Sequence, residues 1–117
     1  MPSIIQIFGL KKCNETNKAL RFFKERGIKT QFIDLSEKGL SKGELESVRI
    51  KIPLEQLIDK NGKRFKERNL EYMVYDIEFE ALNDPLLFKT PITRFGKKAA
   101  VGYEPDIWKL WVIESKK

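Results

Sequence analysis

The amino-acid sequence predicts an α/β domain, and three features of the chain lead to that prediction. A strand, a helix and a second strand follow one another within about thirty residues at the N-terminal end. The middle of the chain shows helical spacing of apolar residues, and a β-hairpin pattern followed by a last helix occupies the C-terminal third. The 117 residues are enough for one domain with one hydrophobic core.

The N-terminal pattern is that of a strand-helix-strand unit. Residues 4–8 form a dense apolar run that ends at Gly9, which is typical of a strand buried on both faces. From about Asn14 the apolar positions follow a helical period, and Gly27 is well placed to end that helix. Residues 30–35 read as a second strand, which the connection would place parallel to the first.

A helical insertion is predicted over about residues 41–84. Ser41 and Glu44 form the spacing of a capping box, so a helix should begin there. Pro53 either ends that helix or begins a further short one. Residues 70–82 mix aromatic and acidic side chains in a way that suits another short helix packed against the core.

The C-terminal third predicts a hairpin and a helix. The apolar residues 86–88 lead into residues 89–93, a strand-like run that is interrupted by Pro91, and residues 99–101 form the return strand after a turn at Gly96. A proline inside a strand requires an edge, a bulge or an unusual geometry. The final helix should begin near Pro105.

The composition excludes several classes of function. There is no histidine, so imidazole metal sites and catalytic dyads or triads built on histidine are excluded. With one cysteine there is neither an internal disulfide nor a thiolate cluster, and we expect no metal. The net charge of +6 arises from lysines interleaved with acidic residues, which does not favour direct nucleic-acid binding. No apolar run is long enough for a membrane span and no secretory signal is visible, so we expect a cytoplasmic protein.

The cysteine, Cys13, lies at the start of the first predicted helix. Unpaired backbone N–H groups and the helix dipole favour the thiolate there, relative to a free thiol with a pKa of about 8.5. Lys11 and Lys12 would add to this effect. A lone cysteine is most often a small buried hydrophobe, but its position favours a nucleophile that attacks a disulfide, an oxidised substrate or an oxyanion.

Motifs along nearly the whole chain resemble the glutaredoxin-dependent arsenate reductase family, which also contains the Spx-type regulators. They comprise Ile7-Phe8-Gly9, the run from Cys13 to Lys18, residues 57–65, residues 85–92 and Val101-Gly102-Tyr103. The resemblance implies a thioredoxin-like fold, with a central four-stranded mixed sheet, flanking helices and the insertion described above. It places all of residues 1–117 in a single domain.

The resemblance also implies how the thiol would be recycled. The resolving cysteine of two-cysteine motifs lies three residues after the first, and Thr16 occupies that position here. Glutathione or glutaredoxin is therefore implied as the reducing cosubstrate, with no tightly bound cofactor. Thr16 would either hydrogen-bond the thiolate or cap the helix, with capping the simpler expectation. Pro91 resembles the cis-proline that lies opposite the nucleophile and shapes the thiol-binding site.

Arsenate-reducing relatives surround the thiolate with arginines, and this chain departs from that pattern. Two of those positions fall on Asp59 and Thr90, and the third falls near Lys97-Lys98. A carboxylate and a hydroxyl do not replace a bidentate guanidinium, which argues against arsenate as the substrate. Besides Pro91, the side chains assigned to substrate binding are Thr90, Arg94 and Lys97.

Three basic side chains near the site, those of Arg94, Lys63 and Arg64, could replace the missing arginines only if their loops fold inward. A solvated surface position is the simpler expectation for each of them.

The resulting functional hypothesis is a monothiol oxidoreductase. Cys13 is the nucleophile, and Lys12 and Thr16 stabilise its thiolate. The alternatives are an Spx-type transcriptional regulator that contacts the α subunit of RNA polymerase, and a family member that has lost catalysis.

Overall fold

The computed structural model describes residues 4–70 and 76–116. Four strands form one mixed sheet in the order β2-β1-β3-β4, in which β1 and β2 are parallel and the other two pairs are antiparallel. The predicted α/β class and mixed sheet are confirmed. The strands are β1 (Ile5–Gly9), β2 (Thr30–Asp34), β3 (Ile92–Phe95) and β4 (Lys98–Val101).

The described part of the chain also contains six α-helices, four of which lie in the predicted insertion. They are α1 (Asn14–Glu25), α2 (Lys42–Arg49), α3 (Leu54–Leu57), α4 (Lys63–Glu67), α5 (Ile77–Asn83) and α6 (Pro105–Ser115). None of the helices in residues 4–70 and 76–116 has the length and apolar character needed to cross a membrane.

The ends of α1 follow from local chemistry, as predicted. Cys13 is the N-cap residue, with an extended backbone, and its carbonyl accepts the N–H of Asn17 at 3.0 Å. At the other end Gly27 adopts a φ of +70°, a conformation that glycine takes without steric cost. The N–H of Ile28 then reaches back to the carbonyl of Phe23 at 2.9 Å, which closes the helix.

The insertion begins as predicted, one of the two alternatives for Pro53 is confirmed, and the start of the last helix differs. Ser41 and Glu44 form both hydrogen bonds of the capping box. Pro53 is the N-cap of α3, so it begins a further helix instead of ending α2. The helix predicted over residues 70–82 begins only at Ile77, because the Asp76 carboxylate caps it by accepting two backbone N–H groups. Residues 71–75 of that prediction lie outside the described residues.

The strand-like run predicted over residues 89–93 is wrong before Ile92. Pro85–Leu87 forms a 3₁₀ turn, and β3 begins at Ile92, directly after Pro91. The proline therefore precedes the strand, and the β3 ladder loses no N–H donor to it. The hairpin turn at Gly96 and the return strand agree with the prediction.

The sheet separates two apolar clusters. One face packs against α1 and α6, around Phe23, Trp108 and Trp111, and the other packs against the helices of the insertion. Thr93 is fully buried on the α6 side. Its hydroxyl accepts the indole N–H of Trp108 at 3.1 Å and reaches the carbonyl of Ala100 at 3.4 Å. The hydrogen bond between Trp108 and Thr93 fixes the position of α6 against the sheet.

Candidate active site

The Cys13 thiol lies where the chain leaves β1 and enters α1. The backbone N–H of Cys13 donates to the carbonyl of Leu10 at 3.0 Å, which makes the connecting loop a tight turn. The Asn17 amide donates to the carbonyl of Lys11 at 3.0 Å and holds the turn against the helix. Cys13 is partly exposed, so its sulfur is accessible at the end of the sheet where β1 finishes.

Thr16 lies beneath this turn and is fully buried. Its hydroxyl accepts the backbone N–H of Leu10 at 3.4 Å and also hydrogen-bonds the Cys13 sulfur. The expectation that Thr16 caps α1 is wrong, because Thr16 is the third residue of the helix and Cys13 is the N-cap. A Cβ on Gly9 would lie 2.4 Å from the Thr16 hydroxyl oxygen, so the absence of a side chain at Gly9 is what lets Thr16 pack there.

Thr90 approaches the thiol from the other side, across 77 residues of sequence. Its hydroxyl donates to the Cys13 sulfur at 3.0 Å. The Thr90–Pro91 peptide bond is cis, as the resemblance implied. Pro91 is buried, and its carbonyl accepts the N–H of Gly102 at 2.8 Å, which ties the segment before β3 to the segment after β4.

These neighbours determine the ionisation of the thiol. Burial raises the pKa of Cys13 and is the largest single contribution, but four hydrogen bonds oppose it. The side chains of Thr16 and Thr90 donate two of them, and the backbone N–H groups of Thr16 and Glu15 donate the others. Together they hold the pKa of Cys13 below the ordinary value of a cysteine, so a larger share of the sulfur is thiolate at neutral pH.

Lys12 is not among the groups that lower this pKa in the described part of the chain. It is exposed, and neighbouring Lys11 points to the Asp34 carboxylate, with 3.9 Å between the charged atoms. The role assigned to Lys12 from the sequence therefore remains a prediction. The groups that lower the pKa of Cys13 are the hydroxyl groups of two threonines and backbone N–H groups of the helix.

The structure does not bring Arg94 and Lys97 to the thiol. Arg94 lies three residues beyond Pro91 in β3, which is about 10 Å along the strand. Lys97 lies farther away, in the hairpin turn at the opposite end of β3. The sequence-based assignment of both residues to substrate binding needs this correction, because a regular strand carries them away from its own beginning.

Leu10, in the thiol loop, is one of the residues that line a cavity of about 310 Å³. Asp59, Lys63 and Arg64 line the same cavity. Arg64 is engaged with Asp84 at 2.7 Å, and Lys63 is highly exposed and 3.8 Å from Glu67. These two cations are therefore surface groups with carboxylate partners, in agreement with the simpler expectation for them.

The chemistry of the assembled site is that of an activated thiol. Cys13 offers a partly exposed sulfur, and Thr16 and Thr90 direct two hydroxyl groups at it. No group of three or more metal-binding side chains occurs in residues 4–70 and 76–116. The arrangement is suited to nucleophilic attack by sulfur.

Comparisons with known proteins agree with this geometry. The sequence model of the ArsC family matches residues 8–110. An uncharacterized protein of Bacillus subtilis (strain 168), YusI, is 31% identical over 102 residues, which cover 81% of this chain and 86% of YusI. The family match extends over the thiol loop, the insertion and the hairpin.

Two solved structures have the same fold. An arsenate reductase from Vibrio cholerae has a TM-score of 0.76 at 21% identity, covering 97% of this chain and 98% of that one. An arsenate reductase (ArsC) related protein from Brucella melitensis has a TM-score of 0.65 at 25% identity, covering 92% of each chain. The fold is thioredoxin-like, and the chain belongs to the ArsC family.

Proposed function

We propose that the protein is a monothiol oxidoreductase that reduces mixed disulfides through Cys13, with glutathione or glutaredoxin as the reductant. The observation that supports this most is the Thr90 hydroxyl, which donates to the Cys13 sulfur at 3.0 Å from the segment facing α1. A sulfur held in this way and left partly exposed is a competent nucleophile.

The proposed cycle has two exchanges. The Cys13 thiolate attacks the glutathione sulfur of a mixed disulfide R–S–S–G, the S–S bond breaks, and the product thiolate R–S⁻ takes a proton from water. The electron pair of that bond leaves with the product, and Cys13 remains bonded to glutathione. A second glutathione thiolate, or the thiolate of glutaredoxin, then attacks the glutathione sulfur and releases Cys13. With glutathione, the sum is R–S–S–G plus GSH giving R–SH plus GSSG.

The second exchange needs an external thiol because the sequence contains one cysteine. Thr16 stands where a resolving thiol would act, and it is fully buried with its hydroxyl engaged by Leu10 and Cys13.

Arsenate fits the site less well. Stabilising that oxyanion requires several cationic donors around the sulfur. In the described residues the hydrogen-bond donors to Cys13 are uncharged, and Arg94 and Lys97 lie toward the far end of β3. The name of the Vibrio cholerae structure describes that protein, and its 21% identity to this chain supports the fold alone.

The second candidate is a regulator that binds RNA polymerase through the α subunit. The feature that favours it is the outer surface of α6, where Leu110 and Ile113 are each more than half exposed and offer apolar contact area. A single cysteine removes a disulfide switch from this candidate, but it does not remove the binding surface. Retention of the polymerase α subunit on the immobilised protein would support it, and an enzyme of the first kind would not retain that subunit.

The experiment that tests the proposal compares the wild type with Cys13→Ser on arsenate, a glutathionylated peptide and a small disulfide. Each substrate is offered with glutathione and with glutathione plus glutaredoxin. We expect activity on the two disulfide substrates, none on arsenate, and loss of activity in the serine variant. Mass spectrometry without reductant should show one glutathione on the wild type. Equal rates for the two proteins would overturn the proposal.

A further inference from the structure

A second cavity lies on the outer side of α1, away from the sulfur itself. Its volume is about 280 Å³, and three of the side chains that line it are cationic. It is lined by Lys18, Arg21, Phe22, Glu25, Arg26 and Tyr103. Three cations and one carboxylate give this cavity a formal charge of +2.

Two of the three cations are held in place by contacts that do not neutralise them. The Lys18 ammonium lies 5.3 Å from the centre of the Tyr103 ring, and the Arg26 guanidinium lies 3.7 Å from the centre of the Phe22 ring. Arg26 also donates to the backbone carbonyl of Phe22 at 3.0 Å. Neither an aromatic face nor a carbonyl cancels a positive charge, so the cavity retains its attraction for anions.

Other arginines of the protein have a different environment. Arg49, Arg64 and Arg68 each form an ion pair with a carboxylate, at 3.1, 2.7 and 2.7 Å. Within residues 4–70 and 76–116, no ion pair joins Lys18 or Arg21 to a carboxylate. The basic residues that line the cavity are therefore available to an external anion.

The cavity is connected to the thiol through the fold. Tyr103 follows Gly102, whose N–H donates to the carbonyl of Pro91, and Thr90 beside that proline donates to Cys13. Along α1, Lys18 lies five residues beyond Cys13, a rise of about 7.5 Å, and Arg21 lies about 12 Å away. Lys18 and Arg21 therefore lie on the helix that begins beside Cys13, between one and a little over two turns beyond the thiol.

We propose that this cavity docks an acidic segment of the protein whose thiol or mixed disulfide exchanges with Cys13. The inference rests on the proposed thiol chemistry and adds the class of substrate. A fully extended tripeptide spans only about 10 Å, so glutathione bound to Cys13 would not reach past Arg21. A longer peptide chain would follow α1 and place its carboxylates against Lys18, Arg21 and Arg26 in turn. Glu25, which also lines the cavity, disfavours a continuous row of phosphates and can pair with a peptide N–H.

The test uses two synthetic peptides that carry one glutathionylated cysteine each. In the first, four glutamates begin three residues after the cysteine, and in the second, glutamines replace them. We measure the rate constant for transfer of glutathione to Cys13 at low and at high salt. The glutamate peptide should react about fivefold faster than the glutamine peptide at low salt, and the preference should shrink at high salt.

Two double variants distinguish an effect of the cavity residues from an effect of the overall charge of the protein. The double variant Lys18→Gln/Arg21→Gln should lose the preference for the glutamate peptide. The matched control Lys24→Gln/Lys29→Gln removes the same charge from exposed positions outside the cavity lining and should keep it. All three proteins should react at the same rate with a small uncharged disulfide, which shows that the variants are folded and that Cys13 is unchanged.

Equal rates for the two peptides on the wild type would overturn the proposal, as would an equal loss in the two double variants. A single-stranded oligonucleotide of equal charge that competes better than the glutamate peptide would also overturn it, in favour of a phosphate ligand. Fluorescence anisotropy of a cysteine-free glutamate peptide on Cys13→Ser measures docking without thiol chemistry. Binding there, combined with no thiol exchange in the wild type, would contradict the proposed function and leave the acidic docking site supported.

Discussion

The two ends of β3 carry different chemistry. At its beginning, the Thr90 hydroxyl and the N–H groups of α1 converge on one sulfur, and at its end Arg94 and the exposed Lys97 present full charges toward the hairpin. Only the first group lowers the pKa of Cys13. Full charges in solvent are screened, whereas short hydrogen bonds from oriented neutral groups act directly on the sulfur.

A second contrast lies within the same segment, between two threonines that are three residues apart. Thr90 directs its hydroxyl to the Cys13 sulfur at 3.0 Å, and Thr93 directs its hydroxyl to Trp108, which donates to it at 3.1 Å. One hydroxyl acts on the reactive group and the other on the core. Substitutions at the two positions should therefore have separable effects on reactivity and on stability.

The largest effect should come from Gly9→Ala, which acts on the thiol end of the sheet. The added Cβ would lie 2.4 and 2.5 Å from two atoms of the buried Thr16 side chain, so Thr16 must move. We expect a loss of about 1–3 kcal/mol in the free energy of unfolding, together with a higher Cys13 pKa. Urea unfolding and thiol titration measure the two effects.

Gly43→Ala is the matched control, because a Cβ there meets nothing within 4 Å. Gly43 lies in α2, where alanine is favoured over glycine, so this variant should be as stable as the wild type or up to about 1 kcal/mol more stable. If Gly9→Ala behaved like Gly43→Ala, the tight packing of Thr16 beneath the thiol loop would be contradicted.

Thr93→Val should have the second-largest effect, and it should change the free energy of unfolding alone. It leaves the buried Trp108 N–H without its acceptor, which costs about 1–3 kcal/mol. The pKa of Cys13 should not change, because Thr93 does not contact the sulfur. Chemical unfolding combined with a pH titration of thiol reactivity checks both parts of this prediction.

Thr90→Val should produce the opposite pattern. It removes a donor that favours the thiolate, so the pKa of Cys13 should rise while the free energy of unfolding changes little. Thr90→Ser keeps a hydroxyl and should restore the lower pKa. A change of stability without a change of pKa in Thr90→Val would show that the two threonines do not differ as described.

The smallest effect is expected from Arg94→Gln and Lys97→Gln at the far end of β3. Neither side chain is among the groups that act on Cys13, so the rate of thiol modification at neutral pH should stay within about twofold of the wild type. A rate lowered tenfold in either variant would show that the far end of β3 does act on Cys13.

Much of the fold followed from local patterns in the sequence. The apolar run before Gly9, the Ser41 to Glu44 capping box and the glycine stop of α1 each reflect interactions within a few residues of one another. Such interactions are readable without tertiary information. The error at residues 89–91 arose because a local sequence pattern does not show where strand pairing begins, and β3 pairs with β1 only from Ile92 onward.

The candidate site was only partly predictable, because several of its contacts join residues that are far apart in the sequence. The position of Cys13 at a helix start is local, and the family resemblance supplied the cis-proline. The Thr90 contact crosses 77 residues, and the packing of Thr16 against Gly9 is a steric fit between a strand and a helix. A glycine that ends a strand just before a cysteine loop was a signal for that fit.

Neutral hydrogen-bond donors lower the pKa of Cys13, and a titration of this thiol is the most direct test of their effect. Because the chain contains one cysteine, thiolate absorbance and the rate of alkylation against pH report Cys13 alone. A lowered pKa means that the thiolate persists as the pH falls, until the pH passes below that pKa. We expect half-ionisation at a lower pH than for free cysteine, with a shift upward in Thr90→Val. Half-ionisation at or above the pH of free cysteine would contradict the role of these donors.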